Sequence, residues 1–130
     1  MLADRGVRVD EATSLIQRAL QQEPNNGAYL DSLGWAYYRQ NKLVEAEEYE
    51  RKAIEHEGDD PTILSHMADI CLKLGQNERA ADFFERSLVE WQKALPPDYE
   101  PDKVSAIETQ LKTLKKRLAQ KSSPDAIKPQ

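Results

Sequence analysis

Apolar residues recur at intervals of three and four along most of the chain, the period that places them on one face of an α-helix rather than on alternate faces of a strand. Leu30, Leu33 and Tyr37 form one such stripe, and Leu64, Met67 and Cys71 form a second. Val104, Ile107, Leu111, Leu114 and Leu118 form a third, backed by Lys112, Lys115, Lys116 and Arg117. A longer interval runs through the small residues: Ala12, Ala46 and Ala80 each stand 34 residues after the last, and Ala19, Ala53 and Ser87 keep the same spacing. A period of that length, with small residues at its fixed points, predicts stacked pairs of helices, because small side chains let two axes approach to roughly 8 Å where they cross. The expected fold is all-α, a right-handed α-solenoid of antiparallel helix pairs with a C-terminal capping helix.

Helix limits carry their own signals. Asn25 and Asn26 can cap a helix starting at Gly27, and Asp60 before Pro61 offers a capping carboxylate followed by a proline at the first helical position, where its missing N–H costs nothing. Gly75 is suited to ending a helix in the left-handed conformation, and Asn41 has the same task in the preceding pair. Complete pairs are thus expected at residues 27–60 and 61–94. Residues 1–24 read as an incomplete first repeat, mainly its second helix at about residues 9–22. Its partner helix would lie upstream, so the chain is expected to be a piece of a longer one. The run Pro96-Pro97-Asp98-Tyr99-Glu100-Pro101 breaks the pattern before the capping helix, expected at 101–120. Residues 121–130, with two prolines and no periodicity, are expected to be a disordered tail.

At Asp10-Glu11-Ala12, Leu33-Gly34, Tyr37, Ala46 and Ala53 the chain resembles the tetratricopeptide repeat family over about residues 7–94. It departs from the family pattern where Leu30 and Leu64 replace a tryptophan, where Glu50 stands at an aromatic position, and where Gly58 and Gln92 replace the proline that Pro24 supplies once. The phrase Leu30-Asp31-Ser32-Leu33-Gly34-Trp35-Ala36-Tyr37-Tyr38-Arg39 is similar to the C-terminal repeats of larger bacterial members, some of them outer-membrane lipoproteins. That likeness implies a parent protein either in the cytoplasm or in the periplasm and envelope.

The resemblance implies a non-catalytic module for protein–protein interaction within a larger scaffold. The first helices of each pair would line a concave groove for a peptide or partner protein. Counting in the repeat frame assigns Asp31, Trp35, Tyr38 and Arg39 to that groove from the first complete pair, and His66, Asp69, Leu72 and Lys73 from the second. Large aromatics with a polar tip beside an arginine are frequent interface anchors. Family members that grip chaperone C-terminal carboxylates do so with lysine and asparagine. Here Asp31 would repel a carboxylate, so no binding of chaperone tails is expected.

Charge and chemistry narrow the alternatives. A net charge of −5 opposes nucleic acid and anionic membrane as partners, and no apolar run approaches a membrane span. There is no phosphate-binding glycine loop and no nucleophile motif, so neither enzyme activity nor a cofactor is expected. His56, His66 and the single Cys71 lack zinc-ligand spacing on one face, so no metal is expected either. The alternative reading is a structural fragment that forms a homo-oligomer through the uncovered first helix, residues 9–19, where Val9, Ala12, Leu15, Ile16 and Ala19 make an apolar strip.

Overall fold

In the computed structural model, which describes residues 2–122 and the side chains of residues 10–121, six helices and no strand are found. They are α1 (Leu2–Gln22), α2 (Gly27–Arg39), α3 (Leu43–His56), α4 (Pro61–Lys73), α5 (Asn77–Lys93) and α6 (Pro101–Ser122). Each packs mainly on its neighbours in sequence, α2 on α3 and α4 on α5 most closely, which makes an all-α helical repeat solenoid.

The capping chemistry acts at the expected places. The Asp60 carboxylate accepts hydrogen bonds from the backbone N–H groups of Thr62 at 2.8 Å and Ile63 at 3.2 Å, with Pro61 opening α4. Asn26 does the same for Tyr29 at 3.0 Å, at the start of α2. The turns inside the two pairs match: Asn41 has φ of 62° and Gly75 has φ of 77°. Glycine takes this conformation freely, and asparagine is among the few side chains that tolerate it.

The alanines mark the helix crossings. Ala46, Ala53, Ala68 and Ala80 are wholly buried, as is Cys71. Leu33, Leu64, Met67, Ile70 and Phe84 fill the space around them. Ser87, also buried, donates its hydroxyl to the Pro61 carbonyl at 2.7 Å and so ties α5 to the first turn of α4.

Two boundaries differ from expectation. α1 runs back to Leu2 instead of starting near residue 9, so residues 2–8 continue the same helix. Residues 2–8 hold no proline and only Gly6 as a weak former, so nothing stops the helix. At the other end α6 extends through Ser122, and the expected tail from residue 123 on lies outside the described residues.

α6 buries Val104, Ile107, Leu111 and Leu114 against α5 and leaves its basic back exposed. These four residues repeat Leu64, Met67 and Cys71 of α4 and its C-cap residue Leu74 at an interval of 40, and Pro101 repeats Pro61. The helix therefore takes the place of a third first-of-pair helix. Of the extra six residues, three lengthen α5 and three lengthen the connection after it, which contains a cis Pro96–Pro97 bond.

Candidate binding groove

α2, α4 and α6 each give residues to one cavity of about 240 Å³. Trp35 comes from α2, Thr62, Ser65, His66 and Asp69 from α4, and Lys103, Ala106, Ile107 and Gln110 from α6, with Phe84 and Trp91 of α5 beneath. Three of the eight residues assigned to the groove, Trp35, His66 and Asp69, meet here.

The Trp35 ring is sandwiched. It stacks on Tyr38 with centroids 4.4 Å apart and on His66 with centroids 3.9 Å apart, the planes within 13° and 16° of parallel. Residues 35 and 38 are one turn apart on α2, so the first contact is local, whereas the second joins α2 to α4. His66 Nδ1 also lies 2.7 Å from Asp31 Oδ1, a second link between the same helices. Lys73 sits with its ammonium 5.7 Å from the Tyr38 ring centroid. Arg39 is exposed at the last turn of α2, and Leu72 is half-buried against the larger apolar cluster, outside the cavity.

A fourth group completes this polar contact, and the sequence marked it only as a departure from the family pattern. Glu50 on α3 is completely buried, and its Oε2 lies 3.9 Å from His66 Nδ1. Phe84 fills the equivalent position of the next pair. Neither Glu50 oxygen finds a hydrogen-bond donor in the fold. Burial, then the contact with Asp31 and the negative charges of Asp31 and Asp60, pushes the Glu50 carboxyl up to about 11. With no donor to hold a negative charge in that buried place, the Glu50 carboxyl favours its neutral form. Trp91 likewise has a buried Nε1–H without an acceptor.

Asp69 is the other perturbed acid. Burial pushes its carboxyl up to about 6, against a smaller lowering by His66. Because the folded chain holds this proton more tightly than the unfolded one, its contribution is fully present below about pH 4 and is lost as pH rises to about 6. Asp69→Asn should remove that step. Urea denaturation at pH 4 to 7 should show the stability of the parent falling relative to the variant, by on the order of ten- to a hundredfold in the folding equilibrium. Parallel curves would contradict the assignment. Glu50 is common to both chains and cancels in the comparison.

The α6 wall was not foreseen. Lys103, Ala106, Ile107 and Gln110 belong to the expected capping helix, and the interval of 40 from α4 is the sequence signal that brings them to the cavity.

The chain belongs to the tetratricopeptide repeat family, whose models match residues 3–62 and 63–95. It is 43% identical over 68 residues to the TPR repeat-containing protein PA4667 of Pseudomonas aeruginosa and 32% identical over 85 residues to the Vi polysaccharide export protein VexE of Salmonella typhi. These matches take in 52% and 62% of the chain but only 11% and 13% of those proteins, so the chain spans a small part of the length of either. Among solved structures it is similar to PcrH in complex with the chaperone binding region of PopD, with a TM-score of 0.78 at 16% identity, covering 88% of this chain and 84% of that one. The translocator chaperone SycD of Yersinia enterocolitica gives 0.78 at 13% identity, covering 88% and 77%. The first TPR of Spaghetti (RPAP3), bound to an HSP90 peptide, gives 0.71 at 21% identity, covering 88% and 83%. At such identities the likeness establishes the fold.

Proposed function

We propose that the chain is a non-catalytic interaction module that binds a peptide segment or partner protein in the groove between α2, α4 and α6, as part of a larger scaffold. The observation that carries the reading is the cavity walled by Trp35, His66, Asp69 and Ile107, which joins flat aromatic surface from α2 to polar groups of α4 and α6. A cavity of about 240 Å³ admits a single large side chain, and stacked rings at its rim bury area with little loss of rotamer freedom. Membership in a repeat family, and similar folds determined with peptides or partner segments bound, support the same reading. The small share of PA4667 and VexE that the chain covers supports the scaffold context.

The groove disfavours acidic ligands. Asp31 and Asp69 stand where a carboxylate would have to enter, so a peptide such as the HSP90 tail seen on the RPAP3 domain is a poor fit here. The test is selection from a displayed peptide library followed by calorimetry. Selected peptides should bind the parent, and Trp35→Ala with Tyr38→Ala should weaken them by about tenfold or more, with melting nearly unchanged. Unchanged affinity would remove the groove from the account, and a large loss of stability would make both rings structural.

A second reading, self-association through α1, draws on Leu15, which is 62% exposed. Light scattering across a concentration series distinguishes it, since a strict monomer at high concentration excludes it.

A further inference from the structure

We propose that Asp31, Glu50 and His66 form a binding site for one divalent transition-metal ion of the zinc class, held between α2, α3 and α4. Their nearest ligand atoms, one imidazole nitrogen and two carboxylate oxygens, all lie within 4.8 Å of one another. Zinc bonds of about 2.0 to 2.2 Å in tetrahedral geometry set ligand atoms roughly 3.3 to 3.5 Å apart, so an ion needs only small side-chain shifts from the 2.7 Å and 3.9 Å separations about His66 Nδ1. One imidazole with two carboxylates is a donor set that such ions accept.

The independent observation is Glu50. It is wholly buried, both of its oxygens lack a donor, and it stands where the next pair places Phe84. A phenyl ring would fill that position without burying an unpartnered acid, so the carboxyl is a costly choice for packing alone. A divalent cation that displaces the Glu50 proton to solvent gives both carboxylates the partner that the helices do not supply. The surroundings also suit a metal centre. Trp35 stacks on the His66 ring and fixes its plane, as outer-shell groups do for ligating histidines. Asp31 and His66 side chains are 17% and 19% exposed, which gives the ion a path from solvent. The expectation of no metal rested on His56, His66 and Cys71, whereas the fold gathers a different set from three helices.

The site needs no peptide, so its test is separate from that of the groove. The full chain, stripped with chelator and titrated with zinc chloride by calorimetry, should take up one ion with a Kd below about 10 μM. Titration with cobalt chloride should develop the visible absorption of an ordered low-symmetry site. Glu50→Gln, nearly the same shape, should weaken zinc binding by about tenfold or more, and Asp31→Asn should do likewise if the first variant does not fold. His56→Ala should bind as the parent does. Absence of saturable zinc binding, undiminished binding by the folded Glu50→Gln or Asp31→Asn variant, or loss with His56→Ala would each overturn the proposal.

Discussion

Trp91→Ala is expected to cost about 3 to 5 kcal/mol, the range for truncating a buried aromatic, and to release α6 before the rest of the chain. Trp91 is 4% exposed in the last turn of α5, in one cluster with Val104, Ile107, Leu111 and Leu114. Tyr99, in the connection between the helices, meets its ring edge-on at 6.3 Å. Trp91 is the largest side chain in the seam that retains α6, whose packing is chiefly on α5 and whose Lys115–Glu85 pair at 3.0 Å is exposed on both sides. In a stacked array a lost interface is felt first by the element next to it. Hydrogen exchange followed by mass spectrometry should therefore show protection falling in α6 while α2, α3 and α4 keep theirs. Uniform loss across all helices would mean that the array unfolds as one unit.

Gly34→Ala is expected to destabilise by about 1 to 3 kcal/mol, although alanine improves on glycine within a helix by about 1 kcal/mol. The sign turns on Glu50. A Cβ at residue 34 would fall 2.9 Å from Glu50 Cγ and 3.0 Å from Cδ and Oε2. A surface glutamate would swing aside, but this one is completely buried and has no space to enter. The double variant Gly34→Ala with Glu50→Ala should recover a large part of the loss, a coupling that chemical denaturation of the four chains measures. If Gly34→Ala alone proved stabilising, the α2–α3 crossing would have to be looser than the contacts show.

These residues also show what could be read from the chain. The interval of 34 located both complete helix pairs, and Asp60-Pro61 and Gly75 set helix ends, because capping and left-handed turns depend on a few adjacent residues. α6 was recognised as a helix with an apolar seam, yet its place in the groove was hidden. Three added residues at the end of α5 and three in the connection after it moved its register to 40 and broke the fixed spacing on which the frame relied. Asp31 and His66 were assigned to the groove, but their grouping with Glu50 was hidden for another reason. They lie on three helices, 16 to 35 residues apart, and only the packing of α2, α3 and α4 brings them within reach. Local spacing rules find ligands on one helix face and miss sets assembled by stacking. The mark that Glu50 left in the sequence, an acid where an aromatic belongs, was visible but had no neighbour to explain it.

The cavity wall has a mechanical consequence. Because α2, α4 and α6 belong to successive units, its mouth widens or narrows with the curvature of the solenoid. Stacking of Trp35 on His66 and the contact of His66 with Asp31 link α2 directly to α4 beside that cavity. Under the proposed function, a guest held across the three helices would resist a change of that curvature. Occupancy of the groove and stiffness of the array would then rise together.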